Sequence, residues 1–290
     1  MAIQKEFRVL VATDGSRDAQ AAIATTLLFP WPARTRVKVI SARRTRAAYR
    51  RSILLTELDR GAEKAGDDAR RTLSRRWPDV QIEILDTAPV EGILGAAERF
   101  QADVIVVGWR GHGAVRRLLM GSVSRGVVRG AKCAVLVVRC SQRVRKIVVG
   151  FDKSPNAKRA VAFVGRLASP QDGRVTVVSA VELRTPPSPR RIPGAGTIAH
   201  EVRRQNMIRS RTAMRDLNRA ADELKRAGWR PRTMLVHGEP LSDLLRAVTT
   251  ARAQLLVVGA RGTSGVRYLL LGSVAEGAVN RCPVAVLVAR

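Results

Sequence analysis

Short runs rich in β-branched residues alternate along the chain with longer segments in which apolar residues return every three or four positions. That alternation is the sequence sign of βαβ units. In the first half it predicts strands near Arg8 to Thr13, Val37 to Ala42, Val80 to Leu85, Val104 to Val107 and Ala134 to Val138, with helices between them. Ser16 reads as the N-cap of the first helix, Pro89 opens the third, and Ser122 stands at the start of the fourth. Parallel strands need crossovers, and right-handed crossovers place helices on both faces of the sheet.

The same pattern then occurs a second time. Arg8-Val9-Leu10-Val11-Ala12-Thr13-Asp14-Gly15-Ser16 is answered by Lys146-Ile147-Val148-Val149-Gly150-Phe151-Asp152-Lys153-Ser154 at an offset of 138, and Ala102 to Gly108 by Ala253 to Gly259 at 151. The difference, 151 minus 138, leaves 13 extra residues in the second copy; the Pro-rich stretch from Pro186 to Gly196, a loop signal, is their expected home. The expected architecture is α/β, with two tandem doubly wound domains, residues 1–142 and 143–290, joined at Cys140 to Arg145. Each is expected to hold a five-stranded parallel sheet of order 3-2-1-4-5 with helices on both faces. A length of 290 residues agrees with a prior of about 150 per domain.

Composition sharpens this picture. Hydrophobic residues are 46% of the chain but aromatics only 4%, so the cores must be built from Val, Leu, Ile and Ala, as in buried parallel sheets. No apolar run approaches the ~18 residues of a membrane span, and Met1 to Phe7 lacks a secretory apolar stretch, so a cytoplasmic location is expected. Cys133, Cys140 and Cys282 form no CxxC pair and no ligand spacing with His112, His200 or His237, which argues against a structural metal or a disulfide framework. The net charge is +28, divided as +11 and +17 between the halves, and 44 of the 52 basic residues are Arg. Such a field attracts polyanions without choosing among them, and nucleic acid is one candidate partner. Arg211, Arg215 and Arg219 would share one helix face.

The candidate chemistry sits after the fourth strand of each copy. Gly108-Trp109-Arg110-Gly111 is followed by nine residues and Gly121-Ser122; Gly259-Ala260-Arg261-Gly262 is followed by nine residues and Gly272-Ser273. Glycines let backbone amides approach a phosphate, and the Gly-Ser pair opens a helix whose free amides favour an anion. Both loops, with Asp14 and Asp152, fall at the carboxyl ends of strands, where doubly wound sheets bind ligands. Arg110, Arg116, Arg117, Arg261 and Arg267 are candidates to neutralise phosphates, with an exposed solvated role as the alternative. His112 has no acid or base partner in sequence and faces Thr263 in the repeat, which argues against catalysis.

A GxxG, nine residues, GS pattern after a Val-Val-Gly strand, together with the opening "LVATDGS" and the close "CPVAVLVAR", resembles the universal stress protein family, in a tandem-domain form of its ATP-binding branch. The resemblance implies that Asp14 and Asp152 contact the adenosine part of ATP and that Ala42 and Ala180 line the adenine pocket through their backbone. It further implies that Gly108, Gly111, Gly121 and Gly259, Gly262, Gly272 contact ribose and phosphates, with hydroxyls from Ser122, Ser124 and Ser273. Ala275 stands where the first copy has Ser124, a departure at the second site. Single-domain relatives pair through the last strand, so the two halves should form an intramolecular pseudo-dimer through Ala134 to Val138 and Ala285 to Ala289, with homodimerisation of the whole chain as a further option.

No GxxxxGK[ST] loop and no paired acidic residues nominate a magnesium site, so the sequence argues for a binding protein rather than an enzyme. The expectation is an ATP-binding stress-response or signalling regulator, with magnesium carried by the nucleotide and protein partners unknown. The alternatives are a basic interaction protein with empty pockets, or a slow ATPase.

Overall fold

A computed structural model describes residues 6–42, 54–111, 120–185, 195–262 and 271–290. The first half runs β1 (Phe7–Thr13), α1 (Arg17–Leu28), β2 (Thr35–Ala42), α2 (Leu54–Leu73), β3 (Gln81–Leu85), α3 (Pro89–Phe100), β4 (Val104–Gly108), α4 (Ser122–Gly130) and β5 (Ala134–Val138). The second half repeats it as β6 (Lys146–Gly150), α5 (Pro155–Arg166), β7 (Arg174–Ala180), α6 (Ala195–Arg226), β8 (Arg230–Val236), α7 (Pro240–Ala251), β9 (Leu255–Gly259), α8 (Ser273–Arg281) and β10 (Ala285–Ala289). The predicted helix starts hold: Ser16 caps α1 by accepting from Ala19 N–H, Pro89 opens α3, and Ser122 begins α4; Ser154 repeats the cap at α5 by accepting from Ala157 N–H.

The strands do not form two separate sheets. They make one ten-stranded sheet of order β3-β2-β1-β4-β5-β10-β9-β6-β7-β8: each half keeps the expected 3-2-1-4-5 order, and the expected meeting of the two last strands joins the five-stranded halves into a single sheet rather than leaving two. Within each half the pairs are parallel; the seam is the antiparallel pair β5 and β10, in register Val286 with Val137, Leu287 with Leu136 and Val288 with Val135. The physical reason lies in composition. Every residue of β5 and β10 is buried and neither strand carries a charge, so an open edge there would invite uncontrolled pairing. The true outer edges, β3 and β8, are more exposed and bear Glu83, Arg230, Pro231 and Arg232.

Two core layers follow from strand alternation. Val9, Val11, Val37 and Val39 meet α1, α2 and, across the seam, α5 and α6, whereas Leu10, Ile40, Ile105 and Val107 meet α3, α4, α7 and α8. The first layer is continuous between the halves: Phe7 meets Phe163 edge-on at 5.8 Å, Arg166 pairs with Asp103 at 2.9 Å, and Ala168 N–H donates to the Pro30 carbonyl.

The extra residues of the second copy do not all go into a loop. Helix α6 has 32 residues against 20 in α2, and it already includes Ala195 and Gly196, the end of the stretch expected to be irregular; residues 186–194 lie outside the described residues. Arg211, Arg215 and Arg219 do lie along α6 and all three are exposed. Among the described residues no helix is long and apolar enough to cross a membrane.

Candidate functional site

The strand order reverses between β1 and β4 in the first half and between β6 and β9 in the second. At each reversal, neighbouring strands send their connections to opposite faces, and a crevice opens at their carboxyl ends. Asp14 follows β1 there, and the first glycine loop leaves β4 beside it; Asp152 and the second loop repeat this after β6 and β9.

The local chemistry is the same in both copies. Asp14 Oδ1 accepts from Ser16 N–H at 3.0 Å, and Asp152 Oδ1 from Ser154 N–H at 3.0 Å, so each carboxylate is turned by its own backbone toward the neighbouring loop. Ser16 Oγ then donates to the Arg110 carbonyl at 3.2 Å, and Ser154 Oγ to the Arg261 carbonyl at 3.2 Å. One serine thus caps a helix and pins the glycine loop. In the second copy Asn156 Nδ2 adds a bond to the Arg261 carbonyl at 3.3 Å. Sequence reasoning found the caps but not this second duty; the repeated Asp-x-Ser at both strand ends was the available signal.

The turn after the aspartate requires a left-handed residue: Gly15 has φ 79° and Lys153, its counterpart, φ 59°. The first copy supplies glycine for this conformation and the second holds a lysine in it.

The six loop glycines divide into three kinds. A Cβ on Gly108 would lie 2.6 Å from the Asp18 carbonyl carbon and 2.7 Å from Ala19 N, and one on Gly259 would lie 2.8 Å from the Asn156 carbonyl carbon. These two glycines let the first turn of α1 or α5 sit against a strand end. A Cβ on Gly111 would strike Asp14 Oδ2, and one on Gly262 would come within 2.6 Å of Asp152 Oδ2. These two face the aspartate across the crevice. Gly121 and Gly272 are N-caps of α4 and α8 with no side-chain capping bond; their amides close the loops by donating to the Trp109 and Ala260 carbonyls at 2.9 and 2.8 Å. A Cβ on Gly121 would be 3.5 Å from Gly111 N, so the loop amide and the helix start adjoin.

Of the serines, Ser122 and Ser273 are exposed at the first position of their helices. Ser124 is buried and its Oγ donates to the Gly108 carbonyl at 2.6 Å; Ala275 fills the same space in α8. Ala42 and Ala180 end β2 and β7, half-buried at the same carboxyl edge. Beside Ala42, Ser41 Oγ is buried without a hydrogen-bond partner, a polar group that the sequence did not single out. Arg110 stacks over the Trp109 ring at 4.0 Å. His112, Arg116, Arg117, Thr263 and Arg267 lie outside the described residues. A separate concavity, lined by Lys38, Asp67, Arg70 and Val80 to Glu83 near the β3 edge, includes none of the glycine-loop residues.

Comparison with known proteins bears on this constellation. A profile described as the universal stress protein family matches residues 7–139 and again 143–290. Universal stress protein Rv2005c of Mycobacterium tuberculosis is 29% identical over 227 residues, covering 73% of this chain and 69% of its own length. Universal stress protein Rv1996 of the same organism is 31% identical over 202 residues, covering 66% and 59%. Among solved structures, a universal stress protein from Archaeoglobus fulgidus DSM 4304 aligns with a TM-score of 0.66 at 19% identity, covering 98% of this chain and 96% of that one, a likeness of fold. Matched by the family profile through both halves, this protein belongs to the universal stress protein family.

Proposed function

We propose that the chain holds an adenine nucleotide, ATP, in one or both glycine-loop crevices and acts as a stress-response or signalling regulator whose partners read the occupied state. One observation carries the reading: the same constellation of aspartate, loop-pinning serine, facing glycine and uncapped helix start is built twice, bond for bond. A turn serving only to connect strands has no need of that duplication.

In this reading the phosphates lie at the starts of α4 and α8, where the first helical amides lack intrahelical acceptors and the helix dipole favours an anion. Gly111 and Gly262 bring loop amides beside them, and Ser122 and Ser273 offer hydroxyls. Gly108 and Gly259 serve by holding the strand ends against the helix that carries the pinning serine. Asp14 and Asp152 accept ribose hydroxyls, and the Ala42 and Ala180 backbones meet the adenine edge. The buried Ser124 hydroxyl supports the first cradle through the Gly108 carbonyl, a support that the second cradle lacks. Among the described residues no group of three or more His, Cys, Asp or Glu is placed to hold a metal, so magnesium would arrive on the phosphates. Good hydrolysis needs a held metal, a positioned water and charge at the γ-phosphate. The reading is therefore of binding and population shift rather than turnover.

The test is to extract the purified protein with acid, identify any released nucleotide, and titrate the stripped protein with ATP by calorimetry. Gly111→Val and Gly262→Val should each remove one site, because a side chain there meets Asp14 or Asp152. An empty extract and a flat titration would sink the reading. A second reading, a polyanion-binding surface, is favoured by the exposed Arg211, Arg215 and Arg219 face of α6. It predicts nucleic-acid binding that falls steeply with salt and is indifferent to both glycine variants.

A further inference from the structure

Trp109 joins the first glycine loop to the other half of the molecule. Its backbone N–H donates to the Val138 carbonyl at 2.7 Å and its carbonyl accepts from Gly121 N–H, so the residue is fixed to the strand end and to the start of α4 together. Its buried indole Nε1 donates to the Val279 carbonyl at 2.8 Å. Val279 is in the last turn of α8, where carbonyls have no intrahelical donor. The opposite end of α8 is the Gly272-Ser273 start that faces the second crevice. Val279 lies six residues, about 9 Å of helix, beyond Ser273.

Around this bond runs a reciprocal exchange. The Arg139 guanidinium lies 3.5 Å over the Trp109 ring and donates to the Val279 carbonyl at 3.2 Å and to the Asn280 carbonyl. Arg290, its counterpart in the repeat, donates to the Val128 and Arg129 carbonyls at the end of α4. Each half therefore caps, with a cation, the helix whose other end serves the other half's crevice. The symmetry breaks at one residue, because Ala260 stands where Trp109 would recur. Among the described residues, only the first loop reaches across the seam through its own side chain.

We infer that Trp109 is a positioning residue that couples the two crevices, so that a nucleotide held by the first loop raises the affinity of the second. This rests on the nucleotide reading above. A ligand gripped at Gly111 and the start of α4 bears on Trp109, which is bonded to Gly121 there, and through the indole further steadies the carboxyl end of α8, which lowers the entropy cost of ordering the α8 amino end around a second ligand. Linkage makes the effect reciprocal, and about five-fold in affinity is the expected size, the low end for coupled sites.

The full-length protein, stripped of nucleotide, is titrated with magnesium ATP as wild type, Gly111→Val, Gly262→Val and Trp109→Phe, the last keeping a ring but losing the donor. Wild type is expected to bind its second nucleotide about five-fold more tightly than Gly111→Val binds its only one, and Trp109→Phe to bring that ratio near one. Amide hydrogen exchange supplies the readout that a merely structural role would leave unmoved. In Gly262→Val, ATP in the first crevice slows exchange at Gly277 to Arg281; adding Trp109→Phe abolishes the slowing while ATP still binds. Two independent sites in wild type, with α8 exchange indifferent to the first crevice, would overturn the coupling and leave the nucleotide reading standing. No binding by wild type would overturn both. A Trp109→Phe protein that is less heat-stable yet keeps the five-fold ratio would show that the indole only holds the seam together.

Discussion

Replacing Gly108 and Gly111 one at a time by alanine separates a glycine that packs from a glycine that faces the ligand. At Gly108 the new methyl would stand 2.6 Å from a backbone carbon of Asp18 and 2.7 Å from Ala19 N, the first turn of α1, whose Ser16 cap also pins the loop. Ordinary contact begins near 3.4 Å, so the helix must retreat by nearly an ångström along a face carrying the buried Ala19, Ala22 and Ile23. Overpacking of this kind costs about 1–3 kcal/mol. At about 2–4 °C per kcal/mol for a chain of this class, Gly108→Ala should melt about 2–12 °C below wild type. At Gly111 the methyl meets instead the carboxylate end of Asp14, an exposed side chain that can rotate, so the loss of stability should stay under about 1 kcal/mol. That rotation withdraws Asp14 from the crevice, and ATP affinity should fall at least about ten-fold, the loss of one charge-assisted hydrogen bond. Thermal melts by circular dichroism and calorimetric titration with ATP check the pair. Equal melting losses in the two variants, or a Gly108→Ala protein as stable as wild type, would refute the division of labour.

Three further outcomes follow from the geometry. Lys153→Gly should stabilise the protein by about 1 kcal/mol in urea denaturation, because it relieves a left-handed lysine, and Gly15→Lys should cost a similar amount. Arg139→Met removes the guanidinium donor from the Asn280 carbonyl, one of two donors from the Val279 carbonyl, and the cation from the Trp109 ring, so it should lower stability by about 2–3 kcal/mol in urea denaturation. Glu239 caps α7, accepting from Leu241 and Ser242 N–H, and the Ser242 side chain, with these backbone bonds, holds its carboxyl below the ordinary carboxylate value. A depressed folded value means that its contribution is present above the unfolded value and is lost as pH falls through the folded one. The gap of about 0.5–1 kcal/mol between wild type and Glu239→Ala at pH 7 should therefore shrink through the acid range, as urea midpoints at each pH would show.

Much of the fold was legible because buried parallel strands leave little choice of residue. Val104 to Val107 and Ala134 to Val138 are unbroken apolar runs, and their boundaries agree with the structure to within a residue. The long helix α6 was less legible because Pro186 to Gly196 carries loop residues, while the extra turns it precedes look like any other amphipathic helix. The joining of the halves was legible in the uncharged last strands, whose edges had to be covered and were expected to meet; the reciprocal capping by Arg139 and Arg290 across that seam was not, although their offset of 151 was there to be read.

The candidate site was legible as a pattern and opaque as a set of roles. Spacing marks Gly108, Gly111 and Gly121 alike, whereas only packing distinguishes the backbone of α1, the carboxylate of Asp14 and an open helix start as the reason for each. A second comparison of the copies makes the same point. Gly92 in α3 has no room for a side chain because Thr87 and Leu85 occupy it; its counterpart Asp243 in α7 is buried, and the counterpart of Thr87 is Gly238, whose added Cβ would lie 2.6 Å from Asp243 Oδ2. Volume has moved from one side of the contact to the other, so the buried Asp243 carboxylate, paired with Arg246 at 3.0 Å, follows from exchange within a packed pair. A charge that appears in one copy of a repeat is thus weak ground for a ligand site until its packing partner is known, and the aspartates that recur in both copies, turned toward glycines that leave them room, are the stronger ground for the site proposed above.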